Sequence, residues 1–134
     1  MQRLKARPQW VAWAYEWKPQ KGKWDKVPKK PGGGNASVSN PDTWGTYEQA
    51  FEWSRQRGVA GVGYVITDDD DLTGIDLDDC KDADWIDALL ADPETYAETS
   101  PSGEGIRLFA DGKVAKTIKC DPANVEIYRS GRFL

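Results

Sequence analysis

The sequence predicts an α+β protein built on a mostly antiparallel sheet, and three observations lead to this class. The two-residue alternation of strands occurs at 10–17 and 74–78, and the segment 61–67 has the pattern of a buried strand. Helical spacing of apolar residues occurs between and after them, at 46–58 and 82–92. Several short strands follow the second helix, and this order of elements is typical of α+β layer architectures.

The first predicted element is an N-terminal hairpin. Val11, Trp13, Tyr15 and Trp17 alternate along the segment 10–17 and are expected on one face of a strand. The turn-forming letters KPQKGK then lead to a second short strand near WDKVP. The stretch 29–42 is rich in Gly, Pro, Asn and Ser and is expected to form a loop.

The segment 46–58 predicts the first helix. Thr46 is expected as its N-cap, with Gln49 at the capping-box position, and Gly58 as its C-cap. The face expected to point inward carries Tyr47, Ala50, Phe51 and Ser54.

The next segments predict a second hairpin and a second helix. A buried strand at 61–67 is expected to turn through the acidic run DDDDLTG into an antiparallel partner at 74–79. The helix at 82–92 is expected to end at Pro93. Its cap is expected to be Asp82 or Asp84, and its inward residues Trp85, Leu89 and Ala88.

The remainder of the chain predicts more strands. They are expected near 96–99, 106–110, 113–118 and 125–128, with Asp111-Gly112 as a hairpin turn. No repeat is evident, so residues 1–134 are interpreted as a single domain. The final letters GRFL resemble the start of another strand, which suggests a piece of a longer protein.

Composition excludes several classes of function. Histidine is absent, which removes Ser-His-Asp and Cys-His catalysis and His-ligated zinc. Cys80 and Cys120 are the two cysteines, and their spacing indicates reduced structural thiols. The sequence contains neither an apolar run long enough for a membrane span nor a signal-peptide pattern, so a cytoplasmic location is expected.

Charge is distributed unevenly. Residues 1–30 contain nine basic and two acidic residues, whereas residues 66–98 contain one basic and thirteen acidic ones. A basic arm beside an acidic centre is typical of an enzyme that handles polyanions with a carboxylate metal site, and chance clustering on a solvated surface is the alternative.

The basic arm interleaves lysines with aromatic residues. Lysines can neutralise phosphates while Trp17 and Trp24 stack on bases, which is a pattern of nucleic-acid binding. The alternative is a solvated hairpin with both tryptophans in the core.

Asp76 and Asp78 alternate with aliphatic residues in the letters GIDLD. If both lie in one strand, they share a face about 6.5 to 7 Å apart, and this spacing suits Mg²⁺ or Mn²⁺ when a third carboxylate lies nearby. Two alternatives stay open, a solvent-exposed strand face and a calcium loop. The preceding run 68–71 is interpreted as a solvated turn.

Five segments in order resemble a known family. They are KVPKKPGGGNASVSNPDTWGTYEQA, GVGYVIT, GIDLDDC, YAETSPSGEGIRLF and VEIYRSGRFL. Together they resemble the primase-polymerase domains of the archaeo-eukaryotic primase superfamily, in the branch found in phage and prophage replication proteins. The resemblance extends from about Trp10 to Leu134.

The resemblance implies an RRM-like palm that copies a DNA template from nucleoside triphosphates. The implied activity is nucleotidyl transfer with Mg²⁺ or Mn²⁺ held by Asp76, Asp78 and Glu126. Glu126 on the exposed side of an edge strand, without a metal, is the alternative. The chain would be the N-terminal part of a longer replication protein, with a helicase region of the same protein as a further partner.

The family's triphosphate-binding motif is only partly matched. Arg107 stands where the family has His, and it can clamp phosphate but cannot transfer a proton near neutral pH. Ser100, Ser102 and Gly103 are the other expected nucleotide contacts, and an ordinary turn explains them equally well. The expected template contacts are Lys26, Lys29 and Arg132.

Two other functions remain open at this stage. One is a degenerate or truncated relative that binds nucleotide or single-stranded nucleic acid without catalysis. The other is a calcium-stabilised adaptor.

Overall fold

The computed structural model describes residues 2–80, 82–91 and 95–134. These residues form three α-helices, which are α1 (Gln2–Lys5), α2 (Tyr47–Ser54) and α3 (Ile86–Leu90). They also form nine strands, which are β1 (Trp10–Lys18), β2 (Lys23–Lys29), β3 (Gly61–Ile66), β4 (Leu72–Leu77), β5 (Tyr96–Thr99), β6 (Ile106–Asp111), β7 (Ile118–Cys120), β8 (Val125–Tyr128) and β9 (Arg132–Phe133). The predicted α+β class is confirmed. Among the described residues, no helix is long and apolar enough to cross a membrane.

The chain divides into two compact units. The first unit contains the residues up to Val65 together with Phe133–Leu134, and the second contains Ile66–Arg132. The first has a four-stranded sheet in the order β2-β1-β3-β9, and the second a five-stranded sheet in the order β5-β6-β4-β8-β7. Every pairing with a defined register is antiparallel.

The first unit contains the predicted hairpin. Strands β1 and β2 pair from Ala12 opposite Lys29 to Lys18 opposite Lys23, so this prediction is confirmed. The first half of β1 is buried on both faces, and Trp10 anchors it there. The Trp10 ring makes edge contacts with Tyr47 and Tyr64, and its indole N–H donates to the Leu4 carbonyl. Trp10 therefore joins both helices of this unit to its sheet, α2 by ring packing and α1 by a hydrogen bond.

Helix α2 begins as predicted and ends earlier. The Thr46 hydroxyl accepts from the Gln49 backbone N–H, and the Gln49 side chain accepts from the Thr46 backbone N–H, which completes the capping box. The predicted C-cap at Gly58 is wrong, because the helix ends at Ser54 and Arg55 is the C-cap. Tight turns follow, and Gly58 with φ +84° serves the later reversal of the chain.

The predicted inward face of α2 is correct for only part of its length. Ala50 is fully buried and Tyr47 is half-buried against Trp10. Phe51 is exposed and stacks on the Tyr47 ring instead of entering the core. The helix has only eight residues, so its buried stripe is narrow.

The second unit has an apolar core on one face of its sheet. The buried members of this core come from β4, β6, α3 and the segment after β4, and they are Leu77, Cys80, Ile86, Ile106 and Leu108. A backbone hydrogen bond of 2.9 Å from the Gly131 N–H to the Ile66 carbonyl joins the two ends of this unit.

The predicted hairpin between 61–67 and 74–79 is wrong. Strand β3 lies between β1 and β9, and β4 lies between β6 and β8, so both edges of each strand are already paired. The segment between them folds on itself because the Asp70 carboxylate accepts from the Thr67 N–H and hydroxyl. This local turn replaces the expected turn of a hairpin.

The predicted orientation of the second helix is also wrong. Ile86 is buried, whereas Trp85, Ala88 and Leu89 are exposed. Neither Asp82 nor Asp84 is the cap, because Trp85 occupies the N-cap position and makes no side-chain cap bond. With only five residues, this helix presents one side chain to the core. The predicted end at Pro93 lies outside the described residues, as does Asp92.

The segment 112–117 forms a loop, so the strand predicted at 113–118 and the hairpin turn at Asp111-Gly112 are both wrong. Thr73 holds this loop through its hydroxyl, which donates to the Gly112 carbonyl at 2.8 Å and accepts from the Val114 N–H at 3.1 Å. The Lys113 ammonium donates to backbone carbonyls near the Asp70 turn. These hydrogen bonds from side chains satisfy backbone polar groups of the loop and its neighbours, where hydrogen bonds between strands were expected.

Candidate functional site

Five charged residues form one row across the sheet of the second unit, called here the charged row. Residues directly opposite each other in antiparallel strands share a face and lie about 4.5–5.5 Å apart. The register places one charged residue of each strand in this line, and in sheet order they are Glu98, Arg107, Asp76, Glu126 and Lys119. Two predicted metal ligands, Asp76 and Glu126, are therefore direct neighbours.

The centre of the charged row is a buried ion pair. Arg107 Nε lies 3.4 Å from Asp76 Oδ1, and the two side chains are 8% and 7% exposed. A buried charge is strongly unfavourable unless a partner of opposite sign compensates it. Arg107, predicted to bind a triphosphate, therefore contacts a predicted metal ligand in this structure.

Glu126, which lies opposite Asp76 in the sheet, has two hydrogen-bond partners of its own. The Lys119 ammonium lies 2.6 Å from Glu126 Oε1, and the Tyr128 hydroxyl donates to Oε2. The hydrogen bond from Lys119, followed by that from Tyr128, holds the pKa of Glu126 below its usual value. Burial and the bond to this carboxylate raise the pKa of Tyr128. The carboxylate is therefore stabilised in its ionised form, which is the form that binds cations.

Arg132 lies next to this pair. Its guanidinium is 5.0 Å from the centre of the Tyr128 ring, within the range of a cation–π contact. The side chain is exposed, so this predicted template contact lies at the solvent side of the site.

Asp78 departs from the predicted strand geometry. Strand β4 ends at Leu77, and Asp78 is exposed just beyond it, with its N–H donating to the Asn124 carbonyl. Asp79 has a left-handed backbone with φ +49°. The strand alternation that was expected to place Asp78 on the face of Asp76 therefore does not reach this residue, because aspartate is a poor strand former.

The predicted phosphate loop is a closed turn beside the end of β4. The buried Ser100 hydroxyl accepts from the Gly105 N–H at 3.1 Å and lies 2.8 Å from the Ser102 hydroxyl. The Gly103 N–H donates to the Ser100 carbonyl. These bonds fix the shape of the loop, and they account for Ser100, Ser102 and Gly103 without a ligand.

Gly105 fixes the position of this loop. A Cβ at Gly105 would lie 2.4 Å from the Leu77 carbonyl oxygen and 3.3 Å from the Asp78 Cα. The loop therefore packs directly against the end of β4, which brings Asp78 close to the predicted nucleotide contacts. Sequence reasoning missed Gly105, although a glycine that closes an SPSG turn can indicate a close backbone approach.

The remaining predicted contacts belong to the first unit. The Lys26 ammonium lies 5.7 Å from the centre of the Trp13 ring. The Lys29 ammonium is bound by the Glu16 carboxylate and by the Asn35 amide oxygen. Hydrogen bonds from Lys18 and then Lys29 lower the pKa of Glu16 to about 2.

The predicted metal ligands have the right chemical type for a hard metal ion, but their side chains are not grouped around one site. Carboxylate oxygens are the ligands that Mg²⁺ and Mn²⁺ prefer. In the part of the chain that the structure describes, however, no three acidic, Cys or His side chains are placed together to hold a metal. Asp76 and Glu126 are adjacent, and each is already compensated by a cation of the protein.

Sequence reasoning also missed three members of the site. Glu98 and Lys119 complete the charged row, and Tyr128 binds Glu126. The alternation in VEIY and the acid before Thr99 indicate strands, but the register that unites them comes from pairings between distant segments.

The fold and this row define an α+β protein whose antiparallel sheet carries paired acidic and basic side chains at its centre. No family model matches the chain. The chain is 33% identical over 138 residues to a DNA primase-polymerase of Nitratiruptor phage NrS-1. The match covers 94% of this chain and 18% of that relative, so the chain spans under one fifth of the relative's length. The resemblance to phage primase-polymerases is confirmed.

Proposed function

We propose that this chain is the catalytic core of a template-directed DNA primase-polymerase. The observation that carries the proposal is the adjacency of Asp76 and Glu126 at the centre of the charged row. The chain that carries them is similar to a phage DNA primase-polymerase over 94% of its length. The reaction would be metal-dependent nucleotidyl transfer from nucleoside triphosphates.

In this proposal Asp76, Asp78 and Glu126 hold Mg²⁺ or Mn²⁺. When bound, such ions stabilise the charge that develops on the attacking and leaving oxygens of an in-line displacement. The ionised state of Glu126, favoured by Lys119 and Tyr128, suits this role. The exposed position of Asp78 beside the 100–105 loop suits contact with a ligand that enters from solvent.

Arg107 has two competing roles in the same proposal. Its guanidinium neutralises Asp76 in the structure described here. To clamp a triphosphate it has to exchange this carboxylate for phosphate, both of which a guanidinium binds well. Arginine stays protonated near neutral pH, so its contribution is charge and orientation, not proton transfer.

The second candidate function is nucleotide or single-stranded nucleic-acid binding without catalysis. The observation that favours it is the ion pair between Arg107 and Asp76, which occupies a predicted metal ligand. A degenerate relative in which this pair is permanent would keep the fold and lose the metal.

The experiment that separates the two functions is calorimetric titration of a deoxynucleoside triphosphate into the protein, with Mn²⁺ and with EDTA. The test variant is Asp76→Asn/Asp78→Asn. The matched control is Asp69→Asn/Asp71→Asn, which removes the same charge from exposed positions of the same acidic segment. Catalysis predicts binding that requires Mn²⁺ and is lost only in the test variant.

Two results would contradict the catalytic proposal. Binding that is equal in EDTA and in the test variant would support the second function. Binding that both variants weaken equally would indicate general charge effects. Glu126→Gln serves as an independent test, because Glu126 is only partly buried and its substitution leaves the buried pair intact. Thermal unfolding of each variant checks that it is folded.

The partners that follow from this proposal are a DNA template and nucleoside triphosphates. Association with a helicase region stays a prediction from the resemblance. The action of residues 1–134 as one domain and a cytoplasmic location in a bacterial or phage-infected cell also stay predictions.

A further inference from the structure

One face of the β1–β2 hairpin exposes large aromatic side chains, and it is called here the aromatic face. Its members are Tyr15, Trp17, Trp24 and Lys26. Tyr15 is 45% exposed, Trp17 48% and Trp24 62%, so the interpretation of both tryptophans as core residues is wrong. The register places Trp17 opposite Trp24 and Tyr15 opposite Lys26, so all four side chains share one side of the hairpin.

The exposed rings of this face take part in two edge contacts. Trp17 and Trp24 are in edge contact, with their centres 5.8 Å apart. Tyr15 is in edge contact with Trp13 at 5.1 Å, and the Lys26 ammonium lies over the same Trp13 ring. Large exposed apolar side chains clustered on one face usually mark an interaction site. Its π-faces provide stacking partners for flat ligands.

The charges of the hairpin are sorted between its two faces. Glu16 and Asp25 lie opposite each other on the other face, where Glu16 is paired with Lys18 and Lys29. Asp25 is paired with Lys21 at 2.7 Å and with Lys23 at 3.9 Å. Within the described hairpin, the aromatic face therefore carries a cation and no acid, while both carboxylates are neutralised by lysines behind it.

The exposed rings and the charge of the aromatic face together favour one class of ligand. Stacking rings accompanied by a cation and by no carboxylate suit a polyanion that has exposed flat bases. A duplex hides its base faces within the stack, and an acidic peptide offers no comparable series of rings. Single-stranded nucleic acid meets both requirements.

We propose that the aromatic face binds single-stranded nucleic acid, with bases stacked on Trp17 and Trp24 and phosphates near Lys26. The inference rests on the proposed function in one respect, because it identifies the strand as a DNA template. It also separates two predicted template contacts, since Lys26 belongs to this face and Lys29 is bound by Glu16 on the other.

The test is fluorescence anisotropy of a labelled oligothymidylate titrated with the protein in EDTA, so that neither metal nor nucleotide binding contributes. The variant is Trp17→Ala/Trp24→Ala. The matched control is Trp85→Ala, which removes a similarly exposed tryptophan at the N-cap of α3 in the other unit. Because the double variant loses two stacking partners, it is expected to bind about thirtyfold or more weakly, and the control is expected to be unchanged.

Two further variants identify the mechanism. Trp17→Phe/Trp24→Phe keeps aromatic faces and is expected to retain most of the affinity. Lys26→Gln is expected to weaken binding and to reduce the slope of log affinity against log salt by about one, as the loss of one phosphate contact does.

Three outcomes would overturn the inference. The first is unchanged affinity in the Trp17→Ala/Trp24→Ala variant. The second is equal or tighter binding of a matched duplex. The third is that the Trp17→Ala/Trp24→Ala variant loses self-association in analytical ultracentrifugation but still binds the oligonucleotide normally. This result would make the aromatic face a contact between copies of this chain. Failure of metal-dependent nucleotide binding would refute the proposed catalysis and leave this measurement unaffected.

Discussion

Replacing Arg107 by Met while Asp76 remains is expected to destabilise the protein by about 3 kcal/mol. The variant leaves a carboxylate buried without its cation, and breaking such a pair by removing one partner typically costs about 3–5 kcal/mol. The lower end applies because the single contact of 3.4 Å is longer than a strong charge-assisted hydrogen bond. The measurement is the free energy of unfolding in urea.

A double-mutant cycle isolates the interaction from the other effects of each substitution. Asp76→Asn removes the charge with little change of shape, and the Asp76→Asn/Arg107→Met variant removes both charges. We expect the double variant to lose at least about 1 kcal/mol less than the sum of the single losses, as directly interacting residues do.

A surface pair provides the matched control. Arg55 lies 3.7 Å from Glu52, and their side chains are 69% and 72% exposed. Arg55→Met is therefore expected to change the free energy of unfolding by less than about 0.5 kcal/mol. If Arg107→Met were as mild as this control, or if the cycle were additive, the claim that Asp76 depends on Arg107 for its burial would be refuted.

Three further predictions concern stability and reactivity. Burial raises the pKa of the Cys80 thiol, so at mildly alkaline pH a thiol reagent should label the exposed Cys120 rapidly and Cys80 only after denaturation; equal native rates would contradict this. Gly105→Ala should destabilise by about 1–3 kcal/mol in urea unfolding, because its Cβ would meet the Leu77 carbonyl, and an unchanged midpoint would refute that contact. Thr46→Ala should cost about 1 kcal/mol in the same assay through loss of the capping box, whereas Thr46→Ser should be nearly neutral.

Elements defined by neighbouring residues were predicted well from the sequence. The β1–β2 hairpin and the capping box at Thr46 depend on alternation, turn residues and contacts three positions apart. The strand at 125–128 was likewise visible from its alternation. These features depend on residues close together in the chain, so the sequence alone is enough to predict most of them.

Elements that depend on distant pairing were predicted poorly. The hairpin expected between 61–67 and 74–79 satisfied every local rule, yet β4 pairs with β6 and β8 instead. Similarly, alternation placed Asp78 beside Asp76, whereas the strand stops at Leu77. The outcome is set by competition among strands for partners, which short-range patterns do not describe.

The candidate site shows the same division. Asp76 was predicted as a metal ligand from the alternation in GIDLD, and Glu126 from the family resemblance. Their adjacency arises from a register between segments fifty positions apart. The pairing of Asp76 with Arg107 could not be anticipated, because each residue on its own suggests a role toward a ligand.

The hydrogen bond between Gly131 and Ile66 has a consequence for the order of folding. The second unit is inserted between β3 and the last two residues of the first unit, Phe133–Leu134. Backbone bonds between Tyr64 and Leu134 close this long insertion. Closing a flexible loop of this length opposes folding by about 4 kcal/mol in chain entropy. A folded second unit already holds its own ends together, which lowers this entropic cost. Strand β9 can join the first sheet only after the whole of the second unit has been synthesised.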